Sequence, residues 1–229
     1  MPSGCAYPGF SRAILVGATL LAGGCAPVFS DLQSAKLVGR DRVEITPAYT
    51  YVKSSTASTT SPVPPPGSGG LAQEEYSSKV QDEFGLQLAT GIHDRVDLRA
   101  RYVYVEGVNV LGFGPKVGLV RDKVAVYLPV GFAFGENTEA GKSWQFHPTL
   151  LLTAPVNRNV ELIASAKALI PFSEGDTTFA FNFGAGFGDL DRWAIRPEIG
   201  FLVDPGESGH YTQFSLGLTF FAGQKRQRP

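Results

Sequence analysis

Cys25 ends the run "LLAGGC", behind a short apolar stretch, and is one of only two cysteines in 229 residues. The other, Cys5, lies upstream of the same stretch, so a disulfide framework is a poor account of either thiol. A thiol so placed is a candidate for covalent modification. The three histidines, His93, His147 and His210, are far apart in the chain. His93 falls in a turn-forming stretch, His147 on the polar side of its strand, and His210 at the start of the last one. No Cys/His cluster has metal-ligand spacing and no phosphate-cradling loop occurs, so no catalytic residue, metal or cofactor is assigned. The charged side chains say more. Glu44, Glu83, Asp97, Arg99, Arg101, Lys116, Glu161, Lys167, Arg196 and Glu198 fall among Gly, Ala, Ser and Thr on the polar side of alternating segments, five acidic and five basic. Side chains two apart on a strand point the same way, so these residues can share one enclosed face, where each charge needs a partner.

The elements that must carry this face alternate with period two. "RVEITPAYTYV" (42–52) sets Val43, Ile45, Pro47, Tyr49 and Tyr51 against Glu44, Thr46, Ala48 and Thr50, and "RVDLRARYVYV" (95–105) repeats the pattern. About ten such segments occur, centred near 48, 85, 100, 115, 129, 149, 165, 182, 198 and 215, which argues strands with one apolar face. Composition agrees: 27 Gly, 16 Phe and 8 Tyr, with charged residues at 18%, below the quarter usual for soluble domains. A formal net charge of -1 leaves no basic field for nucleic acid. No uncharged run of helix-spanning length follows residue 25, which excludes a helical membrane protein.

Arg12, the apolar run Ala13 to Leu21 and the small residues Ala22, Gly23 and Gly24 read as an export signal. Ending in Cys25, that order resembles the lipobox of bacterial lipoproteins. The resemblance implies a diacylglyceryl group on the Cys25 thiol, a cut just before it, and removal of residues 1–24 as signal peptide. Ala26, rather than Asp, after the cysteine implies outer-membrane sorting. Ordinary cleavage after Ala26 is the alternative, and Pro27 disfavours it.

Asp and Asn mark tight connections at His93–Asp94, Arg121–Asp122, Asn157–Arg158–Asn159 and Asp189–Leu190–Asp191. Those between them, at 53–78, 106–109, 135–143, 173–177 and 204–209, are mostly longer or richer in glycine. This asymmetry, strand lengths suited to a tilted crossing, and aromatic residues at the strand ends resemble small bacterial outer-membrane β-barrels. The resemblance covers roughly residues 40 to 222 and implies an all-β, closed antiparallel transmembrane barrel of about ten strands. It also implies short turns in the periplasm, dealings with membrane lipid and with the outer-membrane assembly machinery, and a terminal strand in "SLGLTFF". Residues 25–40 are then a periplasmic N-terminal tether, 41–222 the barrel, 53–78 a flexible external loop able to meet a surface partner, and 223–229 a tail.

Two alternatives accompany this reading. A soluble lipocalin-like lipoprotein would turn its apolar face inward around a hydrophobic ligand. Outer-membrane deacylases, similar to this chain in size, use a His two residues before a Ser. Here His210 precedes Thr212, and Glu207, Glu174 or Asp176 would have to supply the acid. The expected function is non-catalytic: a structural or surface-interaction role, or restricted passage of small solutes through a narrow charged lumen. In that lumen Arg99 and Arg101 are expected to be neutralised by Glu83, Asp97 and Glu44. Pro47, Pro115, Pro129, Pro148 and Pro197 lie inside predicted strands, and each lacks a ladder donor.

Overall fold

The computed structural model describes residues 30–58, 75–135, 143–172, 177–203 and 209–223. Its strands are β1 (Val43–Ser58), β2 (Glu75–His93), β3 (Val96–Val105), β4 (Val108–Val120), β5 (Val124–Tyr127), β6 (Val130–Gly135), β7 (Ser143–Phe146), β8 (Thr149–Pro155), β9 (Val160–Pro171), β10 (Thr178–Phe187), β11 (Trp193–Val203) and β12 (Gly209–Ala222). The described residues contain no helix. Every pairing between these strands is antiparallel. β5 and β6 form one stave broken at Leu128–Pro129, and β7 and β8 another broken at His147–Pro148, so the sheet has ten staves. The last closes on the first through pairs such as Ala48↔Gly217 and Val52↔Gln213, so the sheet has no free edge along its length. The alternation predicts the strands, and the closed antiparallel barrel of ten staves is the one that the resemblance implies.

Burial assigns the two faces. Phe84, Phe113, Phe183 and Phe214 point outward and are 57%, 58%, 53% and 53% exposed, whereas Lys116 and Glu161 point inward at 0%. A soluble barrel has the reverse arrangement. Trp144 and Trp193 are exposed at opposite ends of the wall, as aromatic girdles require.

The tight connections at Asp94–Arg95, 121–123, 157–159 and 188–192 lie at one end. At the other, Glu106 and Gly107 both have positive φ, 43° and 84°, the left-handed pair that a two-residue hairpin needs. The first hairpin runs further than the sequence reading allows. Residues 53–58 and 75–78, expected in the external loop, pair in register from Lys53↔Val80 to Ser58↔Glu75. A continued ladder satisfies their backbone groups better than an open loop would. The remainder of that loop, 59–74, lies outside the described residues.

The proline problem has a structural answer at one place. Leu128 N–H donates to the Pro115 carbonyl, His147 N–H to that of Pro129, and Ala168 N–H to that of Pro148, at 2.9–3.1 Å. The proline carbonyls are thus used, and the missing donors leave acceptors opposite. One of these, the His147 carbonyl that Pro129 cannot serve, accepts the Thr149 hydroxyl at 3.0 Å. The kink also brings the Leu128 carbonyl against Gly114, where a Cβ would lie 2.3 Å from it. The two breaks are where the wall gives up regular pairing.

A second expectation is corrected. Residues 30–39, read as part of a periplasmic tether, run inside the barrel. Ser30, Asp31, Leu32, Gln33, Ser34, Ala35 and Val38 are all buried. The physical reason is that the charged inner wall offers hydrogen-bond partners to an extended backbone, which a free tether would draw from water.

Candidate functional site

The candidate site is the lumen with residues 30–39 threaded in it. At the tight-turn end the segment enters beside β2. Arg40 forms an isolated parallel bridge with Gly91, and its guanidinium lies 3.6 Å from Asp94. Gly39 and Asp41 bend the chain there with φ of 85° and 61°. A Cβ on Gly91 would lie 2.0 Å from the Gly39 carbonyl oxygen, so only glycine admits the segment at this point.

Inside, wall charges meet the backbone of the segment as well as its side chains. Val38 N–H donates to Asp97 at 2.8 Å, and the Asp31 and Leu32 N–H groups donate to the two oxygens of Glu198 at 2.9 and 2.8 Å. Lys116 Nζ donates to the Ser34 and Lys36 carbonyls, at 2.6 Å each. Thr153 accepts from Ala35 N–H at 2.7 Å, and Gln87 donates to the Asp31 carbonyl at 2.9 Å. The wall therefore serves both donors and acceptors of a strand that has no neighbouring strand.

The segment contributes one acid and one base. Asp31 pairs with Lys167 at 2.7 Å and accepts hydrogen bonds from Ser165 and Asn182. Lys36 reaches Glu161 at 2.8 Å, which also holds Arg196 at 2.8 Å. Charge-assisted contacts of this length are the strong class. Apolar contact adds to them: Ala35 packs with Ala125, Tyr127 and Leu151.

All ten inward charges picked out from the sequence line this space, nine of them buried and Arg101 partly so. Their partners agree with those expected in one pair and differ elsewhere. Arg99 takes Glu44 as a bidentate pair at 3.0 and 2.9 Å. Arg101 donates to Ser30 at 2.9 Å, and Glu83 keeps one carboxylate oxygen without a hydrogen bond. Asp97 lies in the field of Arg99, as expected, and of Lys116, and also accepts from the threaded backbone. The residues that sequence reasoning missed are Ser30, Asp31, Leu32, Ser34, Ala35, Lys36 and Val38. Asp31 and Lys36 were visible as charges, but nothing local marks them as lumen residues.

A cavity of about 20 Å³, bounded by Arg101, Tyr127, His147 and Lys167 among others, has room for roughly one water. His147 Nε2 lies 2.9 Å from Gln145 Oε1, so it is a satisfied wall residue. No metal-holding group of His, Cys, Asp and Glu occurs among the described residues. Cys25, Glu174, Asp176 and Glu207 lie outside the described residues, as does the His210 side chain, so neither the lipid site nor the rim hydrolase site is placed here.

Geometry thus defines a class: a closed ten-stave β-barrel, apolar outside, with a polar lumen occupied by its own chain. No family model and no curated protein matches this sequence. Among solved structures it is similar to an outer-membrane channel from Pseudomonas putida F1, at 9% identity and TM-score 0.47, covering 84% of this chain and 100% of that one. It is also similar to the translocator domain of the autotransporter NalP from Neisseria meningitidis (9%, TM-score 0.44, 80% and 88%) and to the KdgM porin (8%, TM-score 0.41, 78% and 98%). These values describe a shared β-barrel outline and nothing of residues or function.

Proposed function

We propose that this chain is a non-catalytic bacterial outer-membrane β-barrel lipoprotein, anchored through Cys25, whose lumen is shut at rest by residues 30–39. It passes small solutes only when that segment withdraws. The observation that carries this reading is the chemistry of the seal. Asp97, Glu198 and Lys116 bind a backbone, and Lys167 and Glu161 bind side chains of the segment. A wall built to stay filled does better with apolar packing, because buried ion pairs rarely outdo hydrophobic groups of the same volume. Charged groups, by contrast, are well hydrated when the segment leaves, so an open state costs little on the wall side.

The lipid anchor rests on the lipobox-like run ending at Cys25, and the membrane assignment on the outward phenylalanines. The partners proposed with it are bilayer lipid, the outer-membrane assembly machinery, and a surface partner at residues 53–78. The decisive measurement is conductance of the purified barrel in planar bilayers. The wild type should be silent, and a variant lacking residues 30–39 should conduct. That deletion removes Asp31 and Lys36 together and leaves the wall's charge balance unchanged. Steady conductance by the wild type, equal to that of the deletion, would refute the seal. Fatty-acid labelling that marks wild type and Cys25→Ser equally would refute the anchor.

A further inference from the structure

Lys36 meets two wall side chains, Lys116 and Glu161, whereas five converge on Asp31. The Asp31 N–H donates to Glu198 at 2.9 Å, and its carbonyl accepts from Gln87 Nε2 at 2.9 Å. One carboxylate oxygen lies 2.7 Å from Lys167 Nζ, and the other accepts from the Ser165 hydroxyl and from Asn182 Nδ2. Backbone and side chain are both recognised, from β2, β9, β10 and β11. Holding a strand in place needs only the backbone contacts.

This place does not depend on the segment for its shape. Asn182 Nδ2 also donates to Ser165 at 3.1 Å, and Gln213 Nε2 donates to Asn182 Oδ1 at 2.9 Å and to Glu198 at 3.4 Å. These four wall side chains are buried and hold one another, so they stay preorganised when residues 30–39 leave. Gly200 makes the room: a Cβ there would lie 2.1 Å from Asn182 Oδ1 and 2.5 Å from Gln213 Nε2. Two groups exceed what residue 31 uses. Gln213 Oε1 has no hydrogen-bond partner among the described residues, and a free ammonium brings more donors than a peptide N–H. Arg101 stands opposite Gln87 in the β2–β3 register, where a free carboxylate would carry the charge that the residue 31 carbonyl lacks. The acids nearby are Glu198, which takes the donors, and the buried Glu83, two inward positions from Gln87 along β2.

We propose that the place of residue 31 binds a small amino acid bearing a side-chain carboxylate, of which aspartate is the simplest, and that Asp31 fills it as an internal stand-in while the lumen is shut. The ammonium goes to Glu198 and Gln213, the α-carboxylate to Gln87 and Arg101, and the side-chain carboxylate to Lys167, Ser165 and Asn182. The inference rests on the withdrawal of residues 30–39 in the proposed function and names the solute that takes their place. A plain dicarboxylate has no donor for Glu198, and an uncharged amide side chain leaves the buried Lys167 without its counter-charge, so the site selects against both.

Two measurements on the full-length chain test it. Asp31→Ala empties the carboxylate place, and formate should then raise its urea midpoint above that in equal sodium chloride or formamide. Wild type, and Asp31→Ala combined with Lys167→Met, should show no such shift. A formate effect equal to that of chloride overturns the carboxylate site, whether or not the segment moves. Separately, the maleimide rate of an Ala35→Cys reporter, located by mass spectrometry, reads the open fraction. A ligand of the open barrel alone multiplies the open-to-closed ratio by one plus its concentration over Kd. At ten times the L-aspartate concentration that doubles the rate, the rate should therefore stand about elevenfold up. L-Asparagine and succinate should leave it unchanged. An equal response to either overturns the amino-acid reading, and no response to L-aspartate while Asp31→Asn raises the rate overturns the solute. If neither Asp31→Asn nor L-aspartate raises it, withdrawal itself fails and the solute falls with it, while the formate result still decides the carboxylate place.

Discussion

Asp31→Asn is the sharpest perturbation of the seal. The asparagine is nearly isosteric and can keep partners for Ser165 and Asn182, so the change is chiefly one of charge. It leaves Lys167, whose side chain is 3% exposed, without the carboxylate now 2.7 Å away. Removing one partner from a buried pair costs about 3–5 kcal/mol, because the remaining charge is left desolvated. When residues 30–39 withdraw, water reaches Lys167 and that penalty disappears. The cost therefore falls on the closed state alone. At about 1.4 kcal/mol per tenfold change, the ratio of open to closed barrels should rise by roughly a hundredfold to several thousandfold. All other contacts of the segment are common to wild type and variant, and cancel in the comparison.

The assay is the open fraction of single barrels in planar bilayers, with the urea unfolding midpoint measured in parallel. More frequent opening at a little-changed midpoint is the expected result. A lower midpoint without opening would mean that segment and barrel come apart together, which refutes independent withdrawal. No change in either would show that the Asp31–Lys167 pair does not hold the seal. A companion variant guards the reasoning: Asp31→Asn with Lys167→Met removes both charges while keeping an acceptor for Ser165 and Asn182, and should return the open fraction towards the wild-type level, since no desolvated charge is left behind.

Three further variants separate wall from segment. Glu44→Gln breaks the bidentate contact to Arg99, which joins two strands and does not touch residues 30–39, so it should lower the urea midpoint by the equivalent of about 3–5 kcal/mol without raising conductance. Gly91→Ala places a Cβ 2.0 Å from the Gly39 carbonyl and should dislodge the root of the segment, seen as opening in bilayers and as maleimide reactivity of an Ala35→Cys reporter; overpacking of this kind costs about 1–3 kcal/mol or more. Thr149→Val deprives the His147 carbonyl of its donor opposite Pro129, and should cost about 1–3 kcal/mol in urea unfolding, with Thr149→Ser restoring it.

The barrel was legible because period-two alternation states the faces residue by residue: the Val43, Ile45, Tyr49 side of β1 is the outward side and the Glu44, Thr46, Thr50 side the lumen. The strand breaks were half legible. Pro129 and Pro148 announced a missing donor, but the Thr149 hydroxyl that repairs one gap is ordinary in sequence. The threaded segment was not legible at all, for a physical reason. Its partners are as far as 167 positions away, as between Asp31 and Glu198, and they bind its backbone, which every residue has. The charge count concealed it as well. Five acids and five bases on the wall look self-sufficient, and residues 30–39 add Asp31 and Lys36, which leaves the balance as it was. That same equality bears on mechanism. A wall whose charges balanced only with the segment in place would hold it by net attraction and be left strongly charged on its departure. On the proposed function the segment adds no net charge to the wall, so it is held by local pairs, each of which water can replace, and the seal can open without leaving the barrel more strongly charged.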